Sequence, residues 1–269
     1  MKNILKKLPF SAYLFFTLCL VFLLAPFIAT IDPLHTDLTK ICTSPDNINL
    51  LGTDEVGRDI FSRMLFGGRA TFFIGLMTTI FACLIGAFVG LIAGYFGGKI
   101  DLICTQVIDI SLAFPSLLLA IGFSIILPAG WFSVITALAV TGWASFARII
   151  RSQTLVLKKN DYITAARSLG SSNLKIMFYH ILPNCLNLII VTSTMKMGSF
   201  MLAESGLSFL GLGVPPPYPT LGGMISSGRD YLFSSPWITI LPGILIAIIV
   251  LIANMLGERI AVILNPKVG

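Results

Sequence analysis

Charge is what this sequence has least of. Aspartate, glutamate, lysine and arginine make up 11% of its 269 residues, against about 25% in a typical water-soluble domain. Apolar residues make up 56% and the mean hydropathy is +0.92. This deficit excludes an ordinary water-soluble enzyme, because so many apolar side chains cannot all be hidden beneath a water-facing surface, so lipid must cover them. Cysteine and histidine are also scarce. Cys19, Cys42, Cys83, Cys104 and Cys185 have no short spacing and an odd total, which indicates neither a zinc site nor a closed set of disulfides. Four of them fall in apolar segments or at their ends and are expected to act as small packing residues. His35 and His180 are the only histidines, so the ligand clusters of a metal enzyme are missing.

A bilayer core about 30 Å thick needs roughly 20 apolar residues in helical form, since unpaired backbone groups cannot face lipid. Charge-free runs locate such helices. The first extends from Leu8 to Ile31 and the second from Ala70 to Gly98. Between Ile110 and Ala147 lie 38 residues without charge, too many for one span and broken by Pro128, Ala129 and Gly130. That stretch divides into a third helix, about Leu102 to Leu127 and carrying Asp109, and a fourth, about Trp131 to Ile150. A fifth segment, about Asn184 to Ala203, contains Lys196, and a sixth runs from Pro236 to Gly257. The expected fold is therefore an all-α integral membrane protein with six spans. Lys2, Lys6 and Lys7 give the first span the look of a cleaved signal peptide, but its apolar stretch is too long and no small-x-small cleavage site follows, which favours a retained anchor.

Orientation follows from the basic residues. With the N-terminus cytoplasmic, inner segments hold twelve of the eighteen Lys and Arg and outer segments hold five, with Lys196 inside the membrane. This bias places both termini in the cytoplasm. The chain divides into an N-terminal segment with the first span (1–31), an outer loop (32–69) and a permeation core (70–269), the last carrying a cytoplasmic loop at 151–183 between the fourth and fifth helices. In the second span Ala82, Gly86, Gly90 and Gly94 recur every four residues. They line one helical face against which another backbone can approach closely, as membrane helices require when lipid offers no hydrophobic preference.

The cytoplasmic loop is patterned as two short amphipathic helices. Asn160 or Asp161 can cap the first, in which Tyr162, Ala165, Ala166 and Leu169 share one face, and Gly170 ends it. Ser171 or Ser172 can cap the second, where Leu174, Met177, Phe178 and Ile181 repeat the spacing until Pro183 stops or bends the chain. Such a stripe must be covered, either by the protein's own helix ends and the membrane surface or by a docked soluble partner.

At these residues the sequence resembles the permease subunits of ATP-binding-cassette importers, whose inner loop carries E-A-A-x-x-x-G followed by nine residues, an apolar position and x-L-P. Here Thr164, Ala165, Ala166, Arg167, Ser168, Leu169 and Gly170 lead on to His180, Ile181, Leu182 and Pro183. Thr164 stands in place of the glutamate, and His180 where isoleucine is common. The resemblance to the peptide and nickel branch covers nearly the whole chain. Leu51-Gly52-Thr53-Asp54, Gly57-Arg58-Asp59 and Ser62-Arg63 resemble its L-G-T-D-x-x-G-R-D-x-x-S-R pattern. Ala93 to Gly98, Asp109, Phe114 to Leu119, Leu207 to Gly213, Pro215 to Pro217, and Asn265-Pro266 follow in the family's order. Within that branch the chain is similar to the second, shorter of two unlike permeases.

The resemblance implies uphill import driven by ATP hydrolysed on other subunits. No G-x-x-x-x-G-K-[ST] phosphate loop occurs here, and Gly97-Gly98-Lys99 lacks the upstream glycine. The chain is thus expected to hold no cofactor, with ATP and Mg on two partner ATPases. The other implied partners are a second permease forming a heterodimer, an extracytoplasmic substrate-binding protein and membrane lipid, but no nucleic acid. Ala165, Ala166, Arg167, Leu169, Gly170 and Pro183 would couple to the ATPases, and Arg58, Asp59 and Arg63 would meet the binding protein or hold the outer loop together by ion pairs. Ionisable residues within spans call for a function: Asp109, Lys196 and Glu204 would line the path, or Asp109 would pair internally and Lys196 snorkel to water. The expected cargo is di- or oligopeptides, with nickel or a metal chelate as the alternative, in a bacterial plasma membrane. A stand-alone secondary transporter or channel would call for inverted repeats or a ring of polar residues, and the sequence displays neither. A membrane-embedded enzyme would need a catalytic constellation, which His180 and Asp109 do not form.

Overall fold

A computed structural model describes residues 10–264. Lys2, Lys6, Lys7 and Lys267, which contribute to the orientation argument, and Asn265 and Pro266 of the C-terminal resemblance lie outside the described residues. The element order is α1 (Phe10–Leu23), α2 (Ile60–Phe96), α3 (Gly98–Ala113), α4 (Ser116–Ile126), α5 (Trp131–Leu157), α6 (Asp161–Ser168), α7 (Leu182–Phe209), α8 (Leu221–Gly228) and α9 (Trp237–Leu264). Short turns of helix join some of these. The architecture is all-helical, and pairing between extended segments among the described residues amounts to one isolated bridge, Thr53 with Asp59.

Among the described residues four helices are long and apolar enough to cross a membrane: Ile60–Phe96, Trp131–Leu157, Asn173–Phe209 and Trp237–Leu264. The third expected span is not one helix. It is the pair α3 and α4, bent by 90° at Phe114 and Pro115. Proline clashes with a helical residue before it, and Phe114 is accordingly extended at ψ 141°. Counting the bent pair as one gives up to five spans. Among the described residues the first expected span appears as α1, followed by the short turn Ala25–Ile28.

Helix α2 begins ten residues before the charge-free run that located it. Asp59 caps it, its Oδ2 accepting from the Ser62 amide at 2.8 Å, so Arg63 and Arg69 stand on the helix and not in a loop. Hydropathy marks the lipid-covered part of a helix, whereas the cap marks its true start. At the other end Gly97 and Gly98 have φ of +71° and +55°, a left-handed region open to glycine at little cost, and the chain turns there into α3.

The centre of the molecule is the seam between α2 and α5. A Cβ added at Gly86 would come within 2.6 Å of the Trp143 carbonyl oxygen, at Gly90 within 2.6 Å of the Ala147 oxygen, and at Gly94 within 2.6 Å of Thr154 Cβ. The glycine stripe is therefore the line along which the two backbones touch. Ile74, Phe146, Ile150 and Phe200 are buried around it. Helix α7 packs on both α2 and α9, with Met197, Met201, Ile246 and Ile249 buried between them.

Candidate functional site

The loop after α5 folds as a helical hairpin. Asn160 takes the extended backbone of a cap residue without making a side-chain cap, and Asp161 and Arg167 place opposite charges at the ends of α6 where the helix dipole favours each. Gly170 has φ +80°. Its amide donates to the Arg167 carbonyl at 3.0 Å, and the Ser171 amide donates to Ala166 at 3.1 Å. This pair of bonds is a Schellman ending, which needs a left-handed residue at that glycine. Ser172 then caps the next turn, accepting from the Lys175 amide at 3.4 Å. Instead of stopping at Pro183, the chain runs on through a π-helical turn, Ile176–Ile181, into α7, where Pro183 occupies the first turn. The helix is continuous here, and the π turn just before Pro183 is where the hydrogen-bond ladder accommodates the missing amide hydrogen.

One residue of α6 is turned inward. Ile163 is 1% exposed and packs in the core that includes Ile176, Met177 and Ile181. Tyr162 and Ala165 are exposed, Ala166 is half-buried, and Leu169 is 86% exposed. Leu174 and Tyr179 extend the apolar surface at 66% and 75% exposure. The chain's own helix ends thus leave most of the stripe uncovered.

The hairpin is tied to the inner end of α2 through Tyr95. The Tyr95 hydroxyl donates to Asn173 Oδ1 at 2.7 Å and accepts from Arg167 Nη2 at 3.3 Å, and the Arg167 guanidinium lies 5.7 Å from the Tyr95 ring centroid. Lys158 Nζ donates to the carbonyls of Gly94 and Tyr95 at 3.0 and 3.1 Å, satisfying acceptors that the end of α2 leaves unpaired. Two ion pairs fasten α3 to α5. Arg151 meets Asp101 through two nitrogens, the Nη2 contact being 2.7 Å, and Arg148 Nη2 meets Asp109 at 2.6 Å.

The membrane-depth candidates do not converge. Asp109 and Arg148 keep side-chain exposures of 58% and 56%. Lys196 is half-buried. Glu204 is completely buried, its carboxylate accepting from Thr71 and Ser208 hydroxyls, each at 2.7 Å, and from Ser205 at 3.4 Å. In this conformation Glu204 clasps α7 to α2 and faces no open space. Among the described residues no group of His, Cys, Asp and Glu is placed to hold a metal ion.

On the opposite end of the bundle Asp54 organises the loop. It accepts from the amides of Val56 and Arg58 at 3.0 and 2.9 Å, pairs with Arg58 Nε at 2.6 Å and lies 3.3 Å from Arg63 Nε. Arg63 also donates to the Pro33 carbonyl at 3.0 Å. Asp59, besides capping α2, accepts from Asn49 at 3.1 Å. Arg58 and Arg63 nevertheless border a cleft of 340 Å³ shared with Ser208, Pro216, Pro217 and Tyr218, so the basic pair and the proline-rich segment share one recess.

Residues 86–269 match the family model described as the binding-protein-dependent transport system inner membrane component. The chain belongs to this family. It is 40% identical over 244 residues to a putative peptide transport system permease protein of Brucella suis, covering 91% of this chain and 82% of that one. It is 38% identical over 254 residues to the dipeptide transport system permease protein DppC of Haemophilus influenzae (92% and 86% covered). It is also 38% identical over 248 residues to the oligopeptide transport system permease protein OppC of Bacillus subtilis (92% and 81%). Among solved structures it resembles an inward-facing form of the MetNI methionine ABC transporter, with a TM-score of 0.62 at 20% identity, covering 76% of this chain and 97% of that one.

Sequence reasoning missed several residues of this inner membrane component that position the hairpin. Tyr95, Lys158 and Asn173 are polar residues at the ends of apolar segments, where solvent contact is the ordinary expectation and a role in holding the hairpin is not signalled. The signal available in the sequence was the recurrence of polar and charged residues just beside the apolar runs, Tyr95 and Asp101 on one segment and Arg151 and Lys158 on another.

Proposed function

We infer that this chain is a transmembrane permease subunit of an ATP-driven importer of the ATP-binding-cassette class, in a bacterial plasma membrane, and that the α6 hairpin couples it to separate ATPase subunits. The observation that carries the coupling is the uncovered apolar surface of the hairpin, Tyr162, Ala165, Leu169 and Leu174, on a chain whose family is that of transport-system membrane components. A membrane protein gains nothing by holding such a surface in water unless a partner covers it. The chain would span the membrane six times, α1 being the first span and the bent α3–α4 pair the third, with both termini cytoplasmic. It would form the path together with a second permease and receive cargo from an extracytoplasmic binding protein at the Arg58, Arg63 and Tyr218 recess, with ATP and Mg on the partner ATPases.

The cargo is a di- or oligopeptide, the class named in the curated relatives' descriptions. Asp109 and Arg148 line the path: a charge pair more than half exposed at helix depth is too costly against acyl chains and belongs beside water or a polar cargo. Lys196 lies on the same route, while Glu204 contributes as a clasp between helices.

Co-expression with the adjacent transporter subunits and affinity purification tests the reading. The chain should bring down an ATPase, and proteoliposomes of the complex should take up peptide only with ATP. Recovery of a transport-competent chain with no ATPase would overturn it.

A further inference from the structure

We propose that the groove between α1, α2 and the start of α5 is a binding site for a membrane phospholipid, the acyl chain lying in the groove and the phosphate on Arg69. The groove encloses 640 Å³ and joins α1, α2, Trp131 and the proline-rich segment at Tyr218, a volume within the usual range for small-ligand pockets, about 300–1,000 Å³. Its walls are aromatic. Phe72 lies between Phe15 and Phe22, with ring centroids 5.6 and 6.3 Å away, and Phe73 meets Trp131 edge-on at 6.1 Å. Arg69 is the one charged side chain on this lining, and no carboxylate faces it there. Arg69 is exposed and enters none of the ion pairs of the described residues.

Depth selects the occupant. From Arg69 to the end of α2 at Phe96 the helix rises about 40 Å, close to the thickness of a bilayer with its headgroups, about 40–45 Å. Arg69 is therefore at headgroup level, with Trp131 and Tyr218 beside it where amphipathic rings settle. Below it the groove is apolar. A guanidinium forks onto a phosphodiester with charge-assisted bonds, and the aromatic channel suits the chain that follows. A cationic rim over a greasy slot thus matches an anion with a hydrocarbon tail better than a soluble anion or a plain hydrophobic helix.

The assembled transporter in membrane vesicles, loaded with a phosphatidylglycerol carrying a photoactivatable acyl chain, tests this. On irradiation the label should concentrate on the peptides bearing Phe22, Phe72 and Phe73. Arg69→Gln should lower that labelling by about tenfold, the value of one hydrogen bond to a charged group, and Arg69→Lys, which keeps the charge and loses the fork, should label between Arg69→Gln and the parent. A phosphatidylethanolamine probe should label the same peptides, because the shared phosphate is recognised. The proposal is overturned if Arg69→Gln labels as strongly as the parent, if label spreads evenly over lipid-facing helices, or if a photoreactive residue at Phe73 captures another protein subunit instead.

Discussion

Gly90 and Gly122 are both helical glycines, and their surroundings give them opposite tolerances. A Cβ at Gly90 meets the Ala147 oxygen at 2.6 Å and the Arg151 nitrogen at 3.0 Å, backbone atoms that cannot step aside, whereas one at Gly122 meets nothing within 4 Å. Gly90→Ala should therefore destabilise the protein by about 1–3 kcal/mol through overpacking, and Gly122→Ala should stabilise it by roughly 0.5–1 kcal/mol through helix propensity. Thermal unfolding of the purified complex in detergent should give shifts of opposite sign. Asp37 and Asp46 offer a second test, in the outer loop. The Thr39 hydroxyl and amide hold the Asp37 carboxyl below its ordinary value, and the Asn49 and Ile48 amides do the same for Asp46. A carboxylate with a lowered folded pKa stabilises the fold above its unfolded value, 3.8, and loses that contribution as pH falls through the folded value. Hydrogen exchange at Thr39, Ile48 and Asn49 should be slow near neutrality relative to the unprotected chain and lose its protection only below about pH 4.

At the scale of elements the hairpin and the end of α2 behave as one unit, because Arg167, Tyr95 and Asn173 share a hydrogen-bonded set. Tyr95→Phe removes the oxygen that joins them and keeps the ring beneath Arg167. Peptide uptake per ATP hydrolysed should fall while basal hydrolysis stays close to the parent, a difference read by measuring both in proteoliposomes. Ala166→Trp should be harsher, uncoupling hydrolysis from uptake with normal membrane insertion, since the residue is half-buried at the base of the exposed stripe. Unaltered import by Ala166→Trp would rule out docking at this face. The bent pair α3 and α4 shows where periodicity fails: a charge-free run says nothing about direction, and Pro115 turns the run through 90°. The hairpin was largely legible because capping residues, Gly170 and the apolar spacing act within a few residues of one another. Which side faced inward was not, since Ile163 lies off the Tyr162, Ala165, Leu169 stripe and is drawn in by Ile176 and Ile181, 13 and 18 residues away in sequence.

For the whole molecule, a permease of this kind should be inert alone. The chain reconstituted without its companions is expected to take up no peptide even with ATP present, and addition of the ATPases, second permease and binding protein should restore uptake; flux assays with labelled dipeptide measure both states. The amino-acid sequence by itself determined that the protein lives in lipid, where its long apolar helices fall and that glycines line one of them, because hydropathy and spacing are local quantities. The pattern of the cytoplasmic-loop hairpin expected from the sequence, with its caps, Gly170 and apolar spacing, was local in the same sense. Only the tertiary structure decided that the glycine stripe meets α5, that Glu204 is clasped by Thr71 across 133 positions of sequence, and that Arg69 crowns an aromatic groove. Each of these depends on which distant helices come to lie side by side, and that choice is made by close packing of complementary surfaces, which no single segment encodes.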